Sequence, residues 1–399
     1  MTTGTTGSEG GWAEMSALSA SVRLSLFYSA FFLVGGLMMP WWPVWLSHRG
    51  LDPTEIGLVL AVGFWIKPIA NPIGTRWADR LGERRRPMVL LLAATAMVYA
   101  LFGLADSIVL FALIAMTGQA LLAPVLPLGD NLTMTASTER GIDYGRVRLW
   151  GSITFIAAAS GAGLLLEGRS PEIILWLVVG GFVLTALVTT QVPDMRFPKP
   201  DGRQGHPFRL LWHPVFGIFL LTTGLNVAAH AVLYAFGTIH WQAQGLTETQ
   251  IGWLWAEGVI AEIILFALSK RIIARTGPLP LLMLGCVSGV VRWTMFAFVD
   301  GFGWMVALQP LHAFTFGAVH LGAMHFIQRA APAGLSASAQ GLFSAFGMGI
   351  FMGLGSLAAG PLYEAFGGRA YLAMSVLSVG STLAALVLAR RFDGQRLSL

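Results

Sequence analysis

IGLVLAVGFWIKPIANPIG, from Ile56 to Gly74, and IGWLWAEGVIAEIILFALS, from Ile251 to Ser269, decide how the rest of the chain is read. Both are apolar and of helical length, and the register between them is constant: Lys67 and Glu262 are 262 − 67 = 195 positions apart. The same shift relates GLDPTEIG at Gly50–Gly57 to GLTETQIG at Gly245–Gly252, with five of eight residues shared, and Arg80 and Gly82 to Arg275 and Gly277. Two related halves therefore carry opposite charges at equivalent places. An ionised group at the centre of a membrane helix costs about 2.5–3.5 kcal/mol on insertion scales, so each of these charges calls for a functional reason.

Hydrophobic residues make up 55% of the 399 residues and charged ones 11%, against about 25% charged in soluble domains. A helix needs about 20 apolar residues to cross the hydrocarbon core, and twelve such stretches begin near residues 24, 55, 88, 107, 146, 172, 211, 251, 279, 302, 337 and 370. The expected fold is all-α and integral to a membrane, with twelve transmembrane helices in two pseudo-symmetric six-helix bundles. Residues 1–192 and 211–399 form the bundles, and 193–210, rich in proline and basic residues, is the cytoplasmic linker.

Basic residues are retained on the cytoplasmic side. With both termini inside, most fall in cytoplasmic segments, Arg76, Arg80, Arg84, Arg85 and Arg86 among them, while Arg49, Arg169 and Arg369 lie outside. The net charge of +5 is then a topology signal, and no nucleic-acid role is expected. The apolar run that follows the polar N-terminal residues is too long for a removable signal and reads as a retained first span. The single cysteine, Cys286, excludes an intramolecular disulfide and reads as a packing residue. No phosphate-cradling loop with a lysine is present, and the two histidines of HLGAMH, His320–His325, have no acid or cysteine beside them. Neither cofactor nor metal is expected, nor an enzyme.

Three cations lie within spans, Lys67, Arg148 and Arg292, with three acids, Asp130, Glu257 and Glu262. If all share one cavity, 3 − 3 = 0, and protonating one acid leaves net +1, suited to a monoanion. Asp130 and Arg148 stand 18 residues apart on consecutive spans, a spacing that lets antiparallel neighbours pair. Glu257 and Glu262, five residues apart, sit about 140° apart around a helix, so at most one faces a central cavity. In span 1, Pro40 and Pro43 are expected to interrupt the helix, and Trp41, Trp42 and Trp45 form either an interfacial belt or an aromatic wall over a substrate path.

TRWADRLGERRRP, Thr75–Pro87, resembles the loop signature of the major facilitator superfamily between spans 2 and 3, with Asp79, Arg80, Gly82, Arg84 and Arg85 matching and Thr75 at the position of its first glycine. The resemblance implies a cytoplasmic gate at Asp79, Arg80, Gly82 and Arg84, with looser helix approach at Thr75. DYGRVRLWGS at Asp143–Ser152, the segment Trp241–Lys270, GVVRW around Arg292 and the span 10 sequence LQPLHAFTFGAVHLGAMHFI resemble the phenylpropionate permease family, related to lactose permease. By that resemblance Lys67, Asp130, Arg148, Arg292 and His312 bind substrate, and Glu262, with Asp130 and His312, carries the proton. The coupling glutamate and the lysine of lactose permease are replaced by Thr315 and Gln309, which moves the proton carrier to Glu262 and argues against sugar as cargo.

The resulting expectation is an inner-membrane secondary transporter, monomeric in the bilayer, that alternates access around a midplane site. It takes up a small aromatic carboxylate with a proton; Arg148 and Arg292 grip the anion and Lys67 tunes Glu262. Alternatives are a neutral nucleoside or oligosaccharide as cargo, export by proton antiport, or a membrane sensor on a transporter fold.

Overall fold

The computed structural model describes residues 16–193, 195, 207–332 and 335–398. Most of the expected linker, with Arg196, Lys199 and Arg203, and the N-terminal residues lie outside the described residues. The described chain is helical throughout. In the first half run α1 (Ala17–His48), α2 (Pro53–Trp65), α3 (Lys67–Leu81), α4 (Arg85–Ala100), α5 (Ile108–Leu122), α6 (Val125–Arg140), α7 (Tyr144–Leu166) and α8 (Ile173–Thr189). The second half has α9 (Pro214–Ala228), α10 (Ala231–Ala243), α11 (Glu248–Ala267), α12 (Ser269–Thr276), α13 (Pro278–Phe296), α14 (Phe302–Leu308), α15 (Val319–Ala330), α16 (Ser336–Ser344), α17 (Met352–Phe366) and α18 (Tyr371–Arg391). Two π-helical turns, Ala313–Ala318 and Ala345–Phe351, lead into α15 and α17. Each of the twelve apolar stretches falls on helix. Among the described residues, nine helical segments are long and apolar enough to cross a membrane by length and composition, and α8 is a shorter one.

The repeated octapeptides build the same corner twice. Gly50 and Gly245 turn the chain at φ +88° and +84°, a left-handed conformation that glycine adopts without a Cβ clash. Asp52 and Thr247 then cap α2 and α11 in complete capping boxes with Glu55 and Gln250, satisfying backbone donors that lipid could not. Past that start the two helices diverge. Pro68 lacks an N–H and disfavours helix at the residue before it, so α2 ends at Trp65 and α3 begins at Lys67. Glu262 has no such neighbour, and α11 runs through it unbroken.

Within the first half α1 packs on α7 and α8, α4 on α5 and α8, and α2 on α5; within the second, α18 packs on α9 and α13. The halves meet through α2 against α17, α7 against α11 and α1 against α10. Close approach is bought by glycine: a Cβ at Gly57 would lie 2.6 Å from the Ser356 carbonyl oxygen, and one at Gly252 2.7 Å from that of Ala159. Gly360 against Pro53 and Gly163 against Glu248 repeat the pattern. Thr54 donates to Glu364 at 2.7 Å, and Thr249 donates to Glu167. These contacts form a seal at the end where α2 and α11 begin.

Three expectations are corrected. Helix α1 continues through Pro40 and Pro43 to His48, because two missing backbone bonds near its end are outweighed by a fully packed surround. Trp41, Trp42 and Trp45 are buried rather than interfacial: Trp42 and Trp45 stack on each other and meet Phe102 edge to face, and Trp41 donates to the Ala159 carbonyl. At Thr75 the helices are not loose, since Gly74, one residue earlier, brings α3 against Pro124.

Candidate functional site

Arg292 on α13 is the most deeply set cation, 1% exposed. Its guanidinium donates from Nη2 to Gln309 Oε1 at 2.6 Å and from Nη1 to Thr315 Oγ1 at 3.0 Å, with His312 Nδ1 3.2 Å from Nη1. Its planar face lies over Trp293, 4.7 Å from the ring centroid. Because the guanidinium has only donors, His312 Nδ1 must accept, which fixes the neutral ring with its hydrogen on Nε2. That nitrogen is 3.8 Å from Glu262 Oε2 on α11. Histidine therefore stands between the arginine and the carboxylate.

The same reasoning orders the ring behind it. His230 Nδ1 lies 2.9 Å from the Asn226 carbonyl oxygen and must donate to it, so Nε2 accepts from the Thr315 hydroxyl at 3.2 Å. Asn226 donates to the Thr315 carbonyl and Gln309 to that of Leu254, tying α9, α11 and α13 to the span that carries His312. Gln309 and Thr315 thus hold the guanidinium rather than carry charge themselves.

Across from this network the first half presents Arg148 on α7. It rests on Phe32, 4.1 Å from the ring centroid, and on Tyr28 at 5.3 Å, on a helix that packs against α11, which carries Glu262. The expected Asp130–Arg148 ion pair is replaced. Asp130 Oδ1 accepts from Tyr28 at 2.6 Å and from Tyr144 at 3.1 Å, so two phenols occupy the carboxylate. Tyr28 is the one tyrosine of the first span, and that was the available signal. Arg148 has no ion pair among the described residues.

Lys67 sits elsewhere than expected. Its ammonium lies over Phe64, 4.5 Å from the ring centroid, beside a small cavity lined by Met38, Trp42, Tyr99 and Gln119. It has no ion pair among the described residues and is not brought to Glu262. Glu257 lies on one face of α11 with Trp253, Ile260 and Ile264, which are 55%, 41% and 57% exposed. That face points away from His312, which packs at Gly258. The interior count becomes Lys67, Arg148 and Arg292 against Asp130 and Glu262, 3 − 2 = +1, instead of zero.

The residues assigned to a cytoplasmic gate bind within the first half. Arg84 pairs with Asp79 at 2.6 Å and donates to Asn131 on α6 at 3.0 Å. Gly82 closes α3 at φ +70°, and Arg80 is exposed.

A seal of paired glycines beneath two capped helices, with charged groups from both halves behind it, is the architecture of a transporter. The MFS_1 like family model matches residues 21–373. The chain belongs to the MFS_1 like family. It is a multi-pass membrane transporter of permease type, not an enzyme. It is similar to a probable 3-phenylpropionic acid transporter of Escherichia coli (strain K12), 32% identical, with 91% of this chain and 96% of the relative covered. It is also similar to the maltose permease of Geobacillus stearothermophilus, 29% identical, over 92% and 94%. Among solved structures the nucleoside transporter NupG superposes with a TM-score of 0.83 at 17% identity, covering 94% of this MFS_1 like chain and 100% of that one.

Proposed function

We propose that this protein takes up a small aromatic carboxylate together with a proton, by alternating access across the cytoplasmic membrane with both termini inside. One observation carries the reading: Arg148, a cation without an ion pair among the described residues, lies on the faces of Phe32 and Tyr28, on a helix packed against the one that carries Glu262. An aromatic acid offers a carboxylate for the guanidinium and a ring for the aromatic side chains beside it. The interior charge of +1 attracts an anion from the outset. A proton on Glu262 removes the negative charge that would repel the incoming carboxylate, so proton and anion favour each other's binding.

In this reading Arg148 takes the carboxylate, and Glu262 carries the proton with His312 oriented toward it. Arg292 fixes the ring of His312, its Nη1 and Nη2 being engaged by His312, Thr315 and Gln309. Asp130 holds Tyr28 and Tyr144 around Arg148, and Lys67 contributes positive potential from the adjoining pocket. The transporter works as a monomer, needs no cofactor, and uses the two halves as rocking bodies.

Counterflow in proteoliposomes tests the assignment, with 3-phenylpropionate, maltose and a nucleoside as competitors. Competition by the aromatic acid alone supports it; competition by the neutral compounds alone overturns it. Similarity to a maltose permease and to a nucleoside transporter makes neutral cargo the second reading.

A further inference from the structure

His320 is an ionisable group close to this network that the proposed mechanism leaves unused. It lies two turns beyond His312 on the same face of its span, and the rings of His312, Phe316 and His320 form a staircase. His312 and Phe316 are 5.4 Å apart between centroids and Phe316 and His320 6.1 Å, both pairs within 8° of parallel. The π-helical turn Ala313–Ala318 sets this register, because an i→i+5 turn rotates each side chain less than an α-helical one. Phe266, one turn after Glu262 on α11, meets the edge of His320 at 6.4 Å, and Phe343 on α16 flanks it at 6.2 Å.

This imidazole stands beside the helix that carries Glu262. It is exposed and makes no hydrogen bond among the described residues. Glu262 and His312 are the other titratable groups on its approach, and Gly317 packs directly against the Glu262 side chain. The segment of α16 beside it offers no titratable residue. Along α11 from the seal at Thr249 come Glu262 and then Phe266, which meets His320.

We propose that His320 is the station through which the proton leaves Glu262 toward the side of the membrane away from the seal, an inference that rests on Glu262 as the carrier. The carboxyl O–H of Glu262 gives its proton to chamber water, and a ring nitrogen of His320 takes it. The opposite nitrogen then loses a proton to water at the mouth. Glu262 ends as a carboxylate and His320 as a neutral ring in its other tautomer, which rotation of the ring or proton exchange with water resets before the next turnover, so nothing is consumed. A neutral imidazole relays a proton in this way because each ring nitrogen can accept while the other donates.

The experiment uses the full-length protein in proteoliposomes with labelled 3-phenylpropionate as probe, comparing wild type with His320→Gln and His320→Phe. Counterflow exchanges cargo without requiring the proton to leave; uptake driven by an imposed pH gradient requires it at every turnover. The expected result is counterflow within about twofold of wild type for both variants, with gradient-driven uptake at least tenfold slower. Imidazole buffer in the lumen is expected to restore part of that rate. Gradient-driven uptake equal to wild type overturns the inference, and so does an equal fall in both assays, which marks a merely structural ring. Wild-type net uptake that ignores the pH gradient overturns it too, and is told apart because it removes proton coupling itself.

Discussion

Gly57 and Gly252 do the same job 252 − 57 = 195 residues apart: each lets its helix press against a backbone carbonyl of the opposite half. The seal is therefore a repeated element, and its two sides are expected to fail alike.

Gly57→Leu and Gly252→Leu each drive a side chain into a carbonyl that a Cβ would already approach at 2.6 or 2.7 Å. Each is expected to hold the seal open and reduce uptake at least tenfold while the protein still reaches the membrane. A cysteine placed at Thr54 reports the opening through faster labelling by an impermeant maleimide. Background from Cys286 is low because its thiol is buried against Ser381.

Glu262→Gln keeps the shape of the carboxyl and removes its charge. Counterflow is expected to persist within about threefold, and the pH dependence of uptake to disappear. Unchanged pH dependence would show that another group carries the proton.

Arg148→Gln removes the cation that lies on Phe32 and Tyr28. Affinity for an aromatic acid is expected to fall about tenfold or more, about 1.4 kcal/mol per factor of ten. Titration of the purified variant with 3-phenylpropionate reads this directly, and a neutral aromatic alcohol is expected to bind both proteins alike.

Arg292→Met strips the donors from Gln309 Oε1 and Thr315 Oγ1, both buried. A buried acceptor left unpaired costs about 1–3 kcal/mol. The variant is expected to melt several degrees lower in detergent, and to free the His312 ring from its fixed tautomer.

Asp52→Ala and Thr247→Ala each break a capping box at the same corner of the two halves. A loss of about 1 kcal/mol apiece is expected, read as equal drops in thermal stability.

Much of this was legible in the chain. The shift between Gly50 and Gly245 is a repeat that any reader can align, and it encodes one turn and one cap. The burial of Glu262 and the outward face of Glu257 follow from helical phase alone, once one of them is known to point inward. What escaped were partners far along the chain. Tyr28 and Asp130 are 102 residues apart, so local spacing offered Arg148 instead. Lys67 was paired with Glu262 because they occupy equivalent positions, yet equivalence in a duplicated fold puts residues on opposite sides of the axis rather than in contact. Prolines 40 and 43 misled for a related reason, since packing decides whether a helix survives a missing bond.

The two π-helical turns, Ala313–Ala318 and Ala345–Phe351, both belong to the second half. Each stores one surplus residue as slack inside a rod that is otherwise taut. Slack of this kind can travel along the rod like a ruck through a carpet, advancing everything on one side of it by about 1.5 Å while the ends stay put. The described part of the second half thus carries, at Ala313–Ala318 and Ala345–Phe351, two points at which its spans can change length without moving their ends.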